Sequence, residues 1–232
     1  VQSLLKKNLR KNLLVTSDVQ FAIKNSDISI ICVGTELNKK GNLNLKNIDK
    51  VFLQITKYLK NKASRHYILI RSTTYPGTIN YLLKKLKNSN KIINCEVVSN
   101  PEFLREGNAI EDFMKPSFTL FGLNKKNETD KKILSGIYKT KRKNIFFEEI
   151  KVAEMMKFTN NYFHALKICF ANEIGSICKN QNISSSRIMD LLKADRKLNI
   201  STKYLSPGFA YGGSCLTKDV EAFSNFTKKN SI

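Results

Sequence analysis

The sequence predicts an α/β fold, a parallel-sheet unit followed by an all-α unit built on one long helix. Three observations predict it. Through residue 147, short apolar, β-branched segments alternate with segments whose apolar residues recur at helical spacing. From Lys151 to Asn180 the chain carries no proline, and apolar residues lie on most sides of the helix it would form. Between the two patterns lies one change of character, near residue 148, which divides the chain into 1–148 and 149–232.

The elements follow in order. "DISIICVGT" (27–35) is a strand ending in Gly-Thr, and "LKNIDKVFLQITKYLK" (45–60) carries Ile48, Val51, Phe52 and Ile55 at helical spacing. "HYILIRSTT" (66–74) is a second strand; a Pro-Gly turn and the helix "TINYLLKKLK" come next. "NCEVVSN", "SFTLFG" and "NIFFEE" are further strands. "SNPEFLRE" (99–106) reads as a helix start, with Asn100 at the N-cap and Pro101 in the first turn. Glu102 and Glu106 would then share one helix face. The Lys151–Asn180 helix is expected to be largely buried. A shorter helix, "SSSRIMDLLKAD" (184–195), opens on a serine cap, and "KDVEAFSNFTKK" resumes helix after a glycine-rich loop.

Composition narrows the function classes. No apolar run reaches the roughly 18 residues of a membrane span, and "VQSLLKKNLRKN" lacks the apolar region of a signal peptide. The 5 cysteines are odd in number and form no C-x-x-C pair, which disfavours a disulfide framework or zinc ribbon and fits a reducing cytoplasm. The net charge of +21 has two readings, a basic nucleic-acid-binding module or a lysine-rich solvated surface. The lysines are spread along the chain without an Arg-rich stripe of interleaved aromatics, which favours the second.

Three groups of residues stand out chemically. Thr35 and Thr73 end two strands, where open parallel sheets bind ligands; each is also an ordinary turn residue. Lys157, Asn161, His164, Ile168 and Asn172 follow one stripe of the long helix, and four of the five are polar. Polar groups on a buried helix need partners, so the stripe implies a wet cleft, a polar ligand or a second subunit. Cys215 follows Gly212, Gly213 and Ser214 and precedes Lys218 and Asp219. A nearby cation favours the reactive thiolate, while Cys32, Cys95, Cys169 and Cys178 lie in apolar runs and read as small core residues.

The stretches "ICVGT", "RSTTYPGT", "NPEFLREGNAIEDF", "VAEMMKFTNNYFHALKICFANEIG" and "PGFAYGGSCLTKDV", in this order, resemble the UDP-glucose/GDP-mannose dehydrogenase family. "YFHALKICFANEIG" and "DRKLNISTKYLSPGFAYGGSCL" are most similar to its GDP-mannose branch. The resemblance implies a partial Rossmann-like NAD domain and a central helical domain. It implies oxidation of the C6 alcohol of a nucleotide sugar, GDP-mannose or alternatively UDP-glucose, to a carboxylate with NAD and no metal. Cys215 would capture the aldehyde and Lys157 would stabilise the oxyanion beside Asn161. Asp219 would move protons, and Thr73 and Glu102 would order a water. Glu106, Lys157, Asn161, His164, Asn172, Tyr204, Phe209 and Gly212 would contact the nucleotide sugar; Thr35, Thr73 and Lys218 would contact NAD. A homo-oligomer through the central helix, with no membrane and no specific nucleic acid as partner, completes the expectation.

Thr217 stands where the family usually has Pro, and Ser206 where the GDP-mannose branch commonly has Arg, which removes one anionic contact. The G-x-G-x-x-G fingerprint that seats the NAD pyrophosphate does not occur in the sequence. The expectation is therefore a fragment that turns over little by itself.

Overall fold

The computed structural model describes residues 2–60, 62–88, 93–125, 127–138 and 140–201, together with 218, 221, 222, 224, 226 and 227. Its elements in chain order are α1 (Gln2–Asn8), α2 (Val19–Lys24), β1 (Ile28–Ile31), α3 (Lys46–Leu59), β2 (His66–Ile70) and α4 (Thr78–Asn88). There follow β3 (Cys95–Ser99), α5 (Ala109–Met114), β4 (Thr119–Leu123), α6 (Glu128–Ser135), β5 (Ile145–Glu149), α7 (Ile150–Asn180) and α8 (Ser185–Ala194). The chain divides into two compact units, Val1–Asn160 and Asn161–Ile232, and α7 runs across the division.

The first unit is a five-stranded sheet in the order β1-β2-β3-β4-β5. The strands β1, β2 and β3 are parallel; β4 runs antiparallel to β3, and β5 is parallel to β4. The α/β expectation holds, with a mixed sheet in place of an all-parallel one. Strand periodicity sorts β2 between two cores. Ile68 and Ile70 pack with Ile48, Phe52, Ile55 and Leu59 of α3 and Ile79 and Leu82 of α4. Tyr67 and Leu69 pack on the other face with Val98, Phe121, Leu123 and Leu134.

Asn100 is where the predicted helix at 99–106 fails. Its side chain is buried and spans the seam between β3 and β4: Nδ2 donates to the Leu120 carbonyl at 3.0 Å, and Oδ1 accepts from Arg71 at 3.2 Å and from the Tyr138 hydroxyl at 2.6 Å. An amide so engaged across the sheet does not cap a helix. The chain instead runs irregularly from Asn100 to Leu104, turns through Gly107 at φ +82°, and becomes helical at Ala109. Glu102 and Glu106 therefore share no helix face.

Gly122 lets α7 settle onto the sheet. A Cβ there would lie 2.7 Å from the Ala153 Cβ and 2.9 Å from the Ile150 Cα and the Ser99 Cβ. The glycine in "SFTLFG" is thus a packing requirement of α7, three elements further along the chain.

The second unit, taken alone, comprises the rest of α7, then α8, capped by Ser184, whose hydroxyl accepts from the Arg187 amide. The described residues among 218–227 are helical. The long helix forms over the expected span, but it is not largely buried. From Asn161 to Phe170 every residue is exposed. Two cysteines also depart from the expected core positions. Cys32 lies just past the end of β1 and Cys169 on the uncovered part of α7, and both are exposed. Cys178 is buried, and Cys95 is half-buried with its thiol pushed up to about 11 by burial.

Candidate active site

The carboxyl ends of β1 and β2 lie side by side because the two strands are parallel neighbours. Thr35 follows the first and Thr73 the second; both are half-buried, and neither hydroxyl is bonded within the described residues. Their loops are tied together by Ser72, which donates to the Val33 carbonyl at 2.7 Å. At Gly34 a Cβ would meet nothing within 4 Å, so the backbone before Thr35 is open. Open backbone and two available hydroxyls at this edge fit a dinucleotide.

The first turns of α7 bring charge to the same edge. Lys157, only 8% exposed, donates to the Glu102 carboxylate at 2.6 Å and to the Glu102 carbonyl at 2.8 Å. The second Glu102 oxygen accepts from the Leu104 amide at 2.6 Å. Burial pushes the Glu102 carboxyl up, but the Lys157 and Leu104 hydrogen bonds and the Lys157 and Arg71 charges outweigh it, so it titrates below the usual carboxylate range. An ammonium carries three N–H donors. With two directed at Glu102, Lys157 is held in place and retains one for a further oxygen.

Sequence spacing singled out Lys157 and Glu102 separately, and the fold joins them. Glu106 is exposed on the irregular stretch that follows. Asn161, His164 and Asn172 are exposed on α7, and Lys218 is exposed and helical. Cys215, Asp219, Tyr204, Phe209 and Gly212 lie outside the described residues. Metal chemistry finds no candidate cluster of His, Cys, Asp or Glu among the described residues.

Four residues have roles that sequence reasoning misses, since it reads Asn100 only as a helix cap. Arg71 lies over the rings of Phe113 and Tyr138 and donates to both Asn100 and the Tyr138 hydroxyl. With Asn100 and Tyr138 it fixes the backbone just before Glu102. The fourth, Glu154, is only 1% exposed. Its one sequence signal is a lone carboxylate in the apolar "KVAEMMKF", three residues before Lys157.

This fold and edge define an α/β unit of the dinucleotide-binding type. Residues 1–142 match the NAD binding domain of the UDP-glucose/GDP-mannose dehydrogenase family and residues 151–232 match its central domain. The chain belongs to that family. It is 41% identical over 213 residues to the GDP-mannose 6-dehydrogenase of Pseudomonas aeruginosa, an alignment covering 90% of this chain and 48% of that protein. It is 34% identical over 229 residues to the UDP-glucose 6-dehydrogenase of Rickettsia bellii, covering 96% of this chain and 50% of that one. A crystal structure of a ternary complex of the Pseudomonas aeruginosa GDP-mannose dehydrogenase matches with a TM-score of 0.91 at 38% identity, over 100% of this chain and 54% of the other. The chain thus spans about half the length of the relatives it matches. Among the described residues, no helix is long and apolar enough to cross a membrane.

Proposed function

We propose that this chain serves an NAD-dependent nucleotide-sugar 6-dehydrogenase that oxidises GDP-mannose to GDP-mannuronate. The observation that carries the reading is the Lys157–Glu102 pair at the sheet's carboxyl edge, where Thr73 also lies. The higher identity to a GDP-mannose enzyme than to a UDP-glucose enzyme, 41% against 34%, supports the choice of sugar. The reading takes 1–148 as the NAD domain and 149–232 as the catalytic and dimerisation domain, in the cytoplasm.

Bound NAD supplies a hydride acceptor for each of two oxidations. Thr35, Thr73 and Lys218 would hold it. In the chain's own chemistry, the Cys215 thiolate adds to C6 of the aldehyde, forming a thiohemiacetal whose oxygen starts as an oxyanion. Lys157 stabilises that oxyanion with its remaining N–H, and Asn161 adds a second donor. Loss of hydride from the thiohemiacetal carbon leaves a thioester on Cys215. A water ordered by Thr73 and Glu102 attacks it, releasing the carboxylate and returning the sulfur as thiolate. Asp219 takes up and returns the protons. Glu106, His164, Asn172, Tyr204, Phe209 and Gly212 contact the nucleotide sugar. The exposed apolar residues of α7, Tyr162, Leu166 and Ile168 among them, form the homo-oligomer contact. Residues 1–232 alone form little NADH, since they contain no G-x-G-x-x-G turn for the pyrophosphate.

The test compares NADH release from GDP-mannose and from UDP-glucose by the protein expressed from its full reading frame. Preference for GDP-mannose is expected, and preference for UDP-glucose reverses the assignment. Cys215→Ala should abolish acid formation; undiminished acid output removes Cys215 from the mechanism.

A further inference from the structure

Thr73 is held from both sides although its own hydroxyl is not bonded within the described residues. On one side, the Ser72 hydroxyl donates to the Val33 carbonyl at 2.7 Å and the Ser72 amide to the Ile31 carbonyl at 3.1 Å. On the other, the Thr74 hydroxyl donates to the Glu154 carboxylate at 3.2 Å. That carboxylate also accepts from the Gly77 amide at 2.6 Å and from the Ile79 amide at 3.0 Å. The Gly77 and Ile79 donors belong to the turn before α4 and to its first residues, amides that a helix start leaves without intrahelical partners. Glu154 therefore caps α4 from outside, reaching across from α7.

A second contact runs in parallel. One turn beyond Glu154, the Phe158 ring stacks on Tyr75 with centroids 5.6 Å apart and an interplanar angle of 4°. The Tyr75 hydroxyl accepts from the Leu43 amide at 3.0 Å, on the loop that leaves Thr35. Lys157, between the two, holds Glu102. One short stretch of α7 thus touches the turn that follows Thr73 and the segment bearing Glu102, and reaches the loop beyond Thr35 through Tyr75.

A buried carboxylate is costly unless its acceptors are filled. Burial pushes the Glu154 carboxyl up, and the Gly77 and Ile79 amides and the Thr74 hydroxyl draw it back. A carboxylate is needed here because all three neighbours donate. Glutamine has the same shape but turns an N–H₂ toward at least one of them.

We propose that Glu154 is a positioning residue for the cofactor side of the site, holding the Thr74–Ile79 turn so that the Thr73 hydroxyl stays aimed at the ligand edge. Placed three residues before Lys157, it makes one helix set both the cofactor-side turn and the sugar-side ammonium. This inference rests on the functional reading above, which assigns Thr73 to NAD.

The experiment has two arms. In residues 1–232, Glu154→Gln is compared with the parent by amide hydrogen exchange. Exchange at Gly77 and Ile79 should rise roughly tenfold or more, while β2 and β3 keep their protection. No change at those two amides, or loss across the whole sheet, overturns the clamp. In the protein from its full reading frame, Glu154→Gln should raise the KM for NAD roughly tenfold and leave the KM for the nucleotide sugar in place. Combined with Thr73→Ala, it should add nothing to the KM effect of Thr73→Ala alone. Additive effects, or an equal rise in both KM values, overturn the positioning role. A parent that forms no NADH with any nucleotide sugar sinks the functional reading; the exchange arm then decides the clamp.

Discussion

The two parts of α7 make opposite use of one helix. From Ile150 to Phe158, Ala153, Glu154 and Lys157 are buried and each has a named neighbour: Gly122, the turn before α4, and Glu102. From Asn161 to Phe170 every residue is exposed, including Tyr162 at 74%. Both parts mix apolar and polar residues, so sequence pattern alone treats them alike. The difference shows that a polar residue on an apolar helix has no meaning until its partner is known. Glu154 and Lys157 find theirs inside the chain. Asn161, His164 and Asn172 are exposed, with no side-chain partner among the described residues.

The sharpest way to break this comparison is Lys157→Ala. In the full reading frame it should lower kcat roughly 100- to 1,000-fold, the usual loss when an oxyanion donor is removed. A rate within a few-fold of the parent would place Lys157 in a purely structural pairing with Glu102.

Gly122→Ala tests how the first part is seated. The added methyl meets Ala153 and backbone on closely packed elements, so overpacking should cost about 1–3 kcal/mol. Urea unfolding measures it, and an unchanged midpoint would mean that α7 shifts freely. The second part is tested by Leu166→Glu. Self-association, followed by sedimentation, should weaken roughly thirtyfold with the circular dichroism unchanged. Association at parental strength would remove this face from the interface.

The smallest effect belongs to the amino-terminal edge of the sheet, far from α7's buried stretch in its chemistry. Buried His66 bonds Ser29 through Nε2 at 2.8 Å and faces the Lys62 ammonium at Nδ1, 3.4 Å away. Burial first, then the Lys62 charge, lowers its pKa, against weaker upward pulls from the Ser26 backbone and Asp27. The unfolded chain, titrating near 6.5, then binds the proton more readily than the folded one. Stability from neutral His66 is complete above that pH and is lost as pH falls toward the lowered folded value. His66→Gln should flatten the stability difference between pH 7 and pH 5 relative to the parent. Parallel pH curves for the two proteins would show that His66 does not supply it.

Much of this was legible because its signals are local. Ile48, Phe52 and Ile55 announce α3, the β-branched runs announce the strands, and Ser184 announces α8. Asn100 misled for an instructive reason. Its neighbours spell a helix start, but its amide is claimed by Leu120, Arg71 and Tyr138, which approach only when the sheet forms. Glu154 was passed over for the same reason, since its three donors come from a turn far back in the chain. Cys32 and Cys169 sat in apolar runs, yet an apolar run names a face, not whether anything covers it.

By itself the sequence determined the five strands, the helices at 45–60, 151–180 and 184–195, and the point where strands give way to one long helix. Hydrogen-bonding capacity, side-chain shape and periodicity are properties of short stretches, so they survive without a fold. Only the tertiary structure decided the reversal of β4 and β5, the glycine at 122, the Lys157–Glu102 pair and the Glu154 clamp. Each of these is a meeting of segments distant in sequence, and its energy depends on distances of a few ångströms that no local pattern encodes.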